Sequence, residues 1–136
     1  MLGFGPRYDY GSRNVIETAP MPDWLTGLRD LCGAFLGQPG ESLARALINE
    51  YRPGAGVGRH RDRPHFGEIV GVSLSTSCDL RFRRKAGEGW DRWTTVVEPR
   101  SIYGLTGPAR REWQRSVAPV AEHRYSVTFR TLAKRD

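Results

Sequence analysis

Apolar residues fall into two periods along this chain. Just after Pro22-Asp23, Leu25, Leu28, Leu31, Cys32 and Phe35 recur at helical spacing and predict one amphipathic helix. Gly37 and Gly40, with Pro39 between them, end it, and a shorter helical run is expected over 41–45. From Ala46 onward the period drops to two. Strands are predicted over 46–51, 69–75, 79–84, 93–97, 101–105 and 125–132, with turn residues between them. Ahead of the helix, 7–10 reads as a first strand and 11–14 as a turn. One helix followed by many short strands predicts a mainly β architecture, a sandwich or jelly roll. No repeat, low-complexity stretch or composition break divides residues 1–136, so a single domain is expected.

Charge adds a second layer. The formal net charge is +6, and 19 of the 21 basic residues are arginine. Such a balance favours anionic partners, nucleic acid among them. The densest stretch, Arg81, Arg83, Arg84 and Lys85, lies in a predicted strand. There Arg81 and Arg83 share one face while Leu80 and Phe82 share the other. That face is either a solvated exterior or a phosphate-contacting stripe. Cys32 and Cys78 sit in apolar contexts without a CxxC pair and are expected to be reduced, buried thiols. No apolar run approaches 18 residues, so no membrane span is expected. The start lacks a signal-peptide pattern, which with reduced thiols makes a cytoplasmic location the expectation; a monomer is expected as well.

The candidate chemistry centres on His60-Arg61-Asp62. On an extended backbone residues i and i+2 point the same way, so the imidazole and the carboxylate can meet one cation. Two histidines with one carboxylate are the ligand set of non-haem Fe(II) oxygenases. HxD alone is a weak signal. Its neighbours strengthen it: Asn49 and Tyr51 upstream, and downstream a strand bracketed by Arg124 and Arg130. In that strand Arg124, Ser126 and Arg130 share a face, and Val127 and Phe129 share the other.

These residues together resemble the AlkB family of Fe(II)/2-oxoglutarate dioxygenases. The resemblance runs through Asn49-Glu-Tyr51-Arg-Pro-Gly54, His60-Arg-Asp62, Val72-Ser-Leu74 and Arg124-Tyr-Ser-Val-Thr-Phe-Arg130, covering roughly 46–132. It implies a double-stranded β-helix, a jelly-roll variant, supported by one or two N-terminal helices. It implies Fe(II) held by His60 and Asp62, which would be the catalytic centre. It implies 2-oxoglutarate held by Arg124 and Arg130, with Ser126 on the same face and Asn49 and Tyr51 supplying hydrogen bonds. The implied activity is oxidative dealkylation of N-alkylated nucleobases in DNA or RNA, a DNA-repair type of demethylation on alkylated single-stranded nucleic acid. Tyr8 and Tyr10 are candidates for touching substrate, or else pack on the core. Trp90 and Trp93 are expected in a hairpin and the core, although their rings could stack a base.

Two positions depart from the family pattern. In Trp113-Gln114-Arg115-Ser116-Val117-Ala118-Pro119 the third iron ligand of the family, a histidine, is replaced by Arg115. A guanidinium is protonated at any ordinary pH, has no lone pair to donate, and repels a divalent cation. An acidic residue expected two positions after the metal aspartate is Pro64 here. The segment before Tyr8 is also short for a family lid, so much of that lid is expected to be absent or removed. Two alternatives to a working dealkylase follow: a catalytically impaired AlkB-like fold that binds nucleic acid, or an oxygenase acting on a protein or small molecule.

Overall fold

A computed structural model describes residues 1–9, 14–16 and 19–133 of the chain. Its elements are β1 (Leu2–Phe4), β2 (Arg7–Asp9), β3 (Asn14–Ile16), α1 (Asp23–Leu36), β4 (Leu43–Tyr51), β5 (Val57–His60) and β6 (Phe66–Leu74). They continue as β7 (Cys78–Ala86), β8 (Gly89–Val97), β9 (Ser101–Leu105), α2 (Gly107–Arg111), β10 (Gln114–Val117) and β11 (Arg124–Leu132). A major sheet runs β1-β4-β11-β6-β9 and a minor sheet β5-β10-β7-β8, with all pairs antiparallel. The strands β2 and β3 form a separate hairpin. Two packed antiparallel sheets with α1 against one of them form the expected jelly roll.

The helix obeys its sequence pattern only in part. Leu25 and Cys32 are buried, with Leu28 and Leu36 packed beside them. Leu31 and Phe35, expected on the same stripe, are 57% and 53% exposed, because the sheet covers less of the helix than the apolar positions span. Gly37 ends α1 in the left-handed region (φ 72°), where a side chain is disfavoured, and N–H groups of Gly37 and Gln38 close onto Ala34 and Gly33 carbonyls. The helical run expected over 41–45 is a correction. A single 3₁₀ turn, Gly40–Ser42, leads straight into β4, whose first residue Leu43 is fully buried in the sheet core. Strand β10 and helix α2 had no expectation at all.

The major sheet is coated on both faces, which decides where polar groups go. Toward α1 it presents Val70, Val72, Val127 and Phe129. Toward the minor sheet it presents Ile69 and Leu105, which meet Leu80, Phe82 and Val97. The second face of β11, however, carries Arg124, Ser126, Thr128 and Arg130, all buried. Polar side chains in the interior of a sandwich cost free energy unless they are hydrogen-bonded or bind something. That row supplies four of the seven buried polar or charged residues among those described, the others being Arg45, Ser73 and Arg110. Cys32 and Cys78 are free and buried, and burial pushes the Cys32 thiol up to about 11.

Candidate functional site

Strand register assembles the row. Arg124 lies opposite Tyr51, and Ser126 lies opposite Asn49 on one side and Ser73 on the other. Residues 73 and 77 positions apart in sequence therefore become neighbours along β4 and β11. Together with Tyr103, Thr128 and Arg115 they bound a cavity of about 90 Å³ between the two sheets.

Arg124 is the most deeply placed cation, 1% exposed. Its Nε donates to Ser73 Oγ at 3.1 Å, and its guanidinium carbon stands 4.9 Å from the centre of the Tyr51 ring. Its Nη1 is buried without a hydrogen-bond partner, and the side chain makes no ion pair among the described residues. A buried, unpaired guanidinium edge is costly and is matched by a carboxylate, which accepts two parallel N–H bonds from it.

The second cluster surrounds Asp62. His60 closes β5, and Asp62 lies in the loop just beyond it, outside the regular strand. His60 Nδ1 is 2.9 Å from the Gly58 carbonyl, which can only accept, so Nδ1 is the donor of this contact. That Nε2 is 3.7 Å from Asp62 Oδ1. Arg115 stands opposite His60 across β5 and β10, and its Nη2 donates to the same Oδ1 at 2.8 Å. Arg130 Nε donates to the other oxygen, Oδ2, while its Nη1 donates to Thr128 Oγ1 at 2.8 Å. Burial pushes the Asp62 carboxyl up, but the charges of Arg130 and Arg115 and the Arg130 hydrogen bond outweigh it and bring the pKa down to about 2. Asp62 is therefore an anion at any physiological pH. Arg110 on α2 fixes the loop beyond it, donating to the carbonyls of Arg63, Phe66 and Gly67.

The two implied cofactors fare differently in this geometry. A dicarboxylate fits: the orphaned Nη1 of Arg124 is a ready donor, and Asn49, Tyr51 and Ser126 line the same cavity. Fe(II) does not fit the site as it stands. Both Asp62 oxygens are engaged by guanidinium groups, and the position across from His60 holds the cation Arg115 in place of an imidazole. Among the described residues, no group of three histidine, cysteine, aspartate or glutamate side chains is arranged to hold a metal ion. His123, the nearest other histidine to Arg124 in sequence, pairs with Glu50 at 3.0 Å on the surface.

Of the other expected site residues, Arg130 faces Asp62 and leaves Arg124 alone at the far end of the row. Tyr10 lies outside the described residues, and Tyr8 is described only as part of the β2 backbone. Tyr103, Thr128, Ser73 and Arg110 were not foreseen. Thr128 could have been, since it shares the even-numbered face of β11 with Arg124 and Arg130. Tyr103 and Arg110 act from β9 and α2, whose relation to the row no local pattern encodes.

Comparison with known proteins agrees with this architecture. The sequence model of the 2OG-Fe(II) oxygenase superfamily matches residues 2–130. The tRNA (carboxymethyluridine(34)-5-O)-methyltransferase ALKBH8 of Macaca fascicularis is 30% identical over 84% of this chain, which spans 18% of that protein. The alkylated DNA repair protein ALKBH8 homolog of Arabidopsis thaliana is 28% identical over 81% of the chain and 39% of its own length. The uncharacterized protein L905 of Acanthamoeba polyphaga mimivirus is 29% identical over 65% of the chain and 48% of its own. The chain thus spans between about a fifth and a half of the length of these relatives. With the jelly roll and the superfamily match over nearly its whole length, the chain belongs to the 2OG-Fe(II) oxygenase superfamily, as an AlkB-like member.

Proposed function

We propose that this AlkB-like domain binds 2-oxoglutarate, or a dicarboxylate of the same size, without a functional iron centre, and serves as a nucleic-acid-binding module. The +6 net charge supports an anionic partner, and one observation carries the iron-free part of this reading: both oxygens of Asp62 are held by guanidinium groups, Arg115 on Oδ1 and Arg130 on Oδ2. A metal would have to displace a charge-assisted hydrogen bond and then lie beside a positive charge. Arg115 shares the cavity, but the Arg124 Nη1 is engaged neither by it nor by Asp62, so cosubstrate binding and metal binding come apart.

A second reading has its own support. His60 Nε2 stands 3.7 Å from Asp62 Oδ1, so two of three ligands remain side by side should the Arg115 side chain swing aside. In that case the domain oxidatively dealkylates N-alkylated nucleobases in single strands, where the base leaves the stack most easily.

Calorimetric titration with Mn(II), a redox-inert stand-in for Fe(II), separates the two when carried out with 2-oxoglutarate present. The parent protein is expected to bind the ion at least about tenfold more weakly than an Arg115→His variant, the scale on which lost metal-site interactions act. With Fe(II) and an alkylated oligonucleotide, only the variant is expected to yield succinate by mass spectrometry. Equal Mn(II) affinities, or succinate from the parent, overturn the iron-free reading and favour the dealkylase.

A further inference from the structure

The minor sheet has an outer face that no part of the described chain covers. Register places its side chains. On β7, Arg81, Arg83 and Lys85 point outward, because Leu80 and Phe82 point into the core. On β8 the residues opposite them are Thr94, Arg92 and Trp90. On β10 the outward pair is Gln114 and Ser116, opposite Arg83 and Arg81, and on β5 Arg59 precedes the inward His60. The result is five basic side chains on one sheet surface, from Arg59 across Arg83 to Arg92 and along to Arg81 and Lys85. None of them forms an ion pair among the described residues. Asp79 at the end of β7 is the single carboxylate on that face of the two strands.

The arrangement is held in place. The Arg83 guanidinium lies 3.9 Å over the Trp90 ring and donates through Nε to Gln114 Oε1 at 2.9 Å. Lys85 Nζ shares the same ring at 5.1 Å. Cation–π contacts tolerate this crowding of like charge, and they leave the remaining N–H groups of Arg83 free for an anion. Burial lowers the Arg83 pKa, and the positive charges of Arg59 and Arg92 lower it further. Gathering unpaired positive charges costs free energy that an incoming anion returns.

We infer that this outer face of the minor sheet docks the phosphate backbone of a nucleic-acid strand, at a site separate from the cavity. The partner is identified by complementarity. Along β7 the outward side chains repeat at about 6.8 Å, which gives a linear row of cations suited to a linear polyanion. An anionic membrane is the poorer match, because the one aromatic of the row, Trp90, lies flat beneath Arg83 instead of projecting. The inference does not rest on what fills the cavity, since Leu80, Val117 and His60 of the same sheet line that cavity from the opposite face.

The test is fluorescence anisotropy with an unmodified, labelled single-stranded oligonucleotide at several salt concentrations. Three proteins are compared: the parent, Arg81→Glu/Arg92→Glu, and Arg52→Glu/Arg111→Glu, which makes the same charge change at exposed positions elsewhere. The first variant is expected to bind about tenfold or more weakly at 0.1 M salt, with a log–log salt slope smaller by about 1.4, two phosphate contacts at about 0.7 each. The second is expected to stay within about threefold of the parent. Unchanged far-UV circular dichroism of both variants reports that the fold is intact. Equal losses in the two variants mean a general charge effect and overturn the docking face. No loss in the first variant overturns it too. So does tighter, Arg81- and Arg92-dependent binding to phosphatidylserine vesicles than to the oligonucleotide.

Discussion

Arg124 shows how one side chain acquires a role from its surroundings. An exposed arginine satisfies itself with water, whereas this one is buried on a tyrosine ring with one nitrogen unpartnered. Arg124→Ala is expected to weaken metal-free 2-oxoglutarate binding by at least about tenfold, since a charge-assisted contact is worth roughly 1.5–3 kcal/mol. Calorimetry measures the affinity and far-UV circular dichroism checks the fold. An unaltered affinity would remove Arg124 from the cosubstrate site. Arg115 makes the complementary point: the same residue type, one strand away, finds a carboxylate at 2.8 Å and is neutralised by it.

At the scale of elements, the site depends on how closely β6 and β9 lie. Gly71 pairs with Tyr103, and the Tyr103 ring lies directly across the glycine Cα. A Cβ at residue 71 would collide with that ring, so the bare backbone of β6 is what lets Tyr103 reach the cavity. Gly71→Ala is expected to cost about 1–3 kcal/mol, the usual range for overpacking, and to loosen 2-oxoglutarate binding by pushing Tyr103 into the space it occupies. Urea denaturation and ligand titration on one preparation check both effects. A loss of stability with unchanged affinity would make Tyr103 a packing residue only.

Over the whole molecule, Asp62 ties the two sheets together. It leaves the minor sheet after β5 and meets Arg115 on β10 of that sheet and Arg130 on β11 of the other. Breaking a buried pair on one side strands the charges that remain, typically for about 3–5 kcal/mol. Asp62→Asn is therefore expected to lower the urea midpoint by a corresponding amount without changing the slope of the transition. A loss below about 1 kcal/mol would mean that the two guanidinium groups find other partners and that the sheets are held by their apolar layers alone.

Periodicity by itself determined the helix and the strands that follow it, because alternation with period two is imposed by the pleat and survives any packing. It also determined that Arg124, Ser126 and Arg130 share a face of β11, and that Arg81 and Arg83 share a face of β7. The residues of the AlkB-like motif were legible for the same reason: His60, Asp62, Asn49 and Tyr51 stand at fixed local spacings. Tertiary structure decided the rest. Which face of α1 is covered depends on the width of the sheet beneath it, so Leu31 and Phe35 are left in solvent despite their spacing. Residues 41–45 turn and extend instead of coiling, since the core accepts Leu43 only as the first residue of a strand. The sequence identified Arg115 as an absent ligand, but only the pairing of β10 with β5 brings its guanidinium onto Asp62. Local spacing selects which side chains share a surface; register between distant strands selects which of them touch.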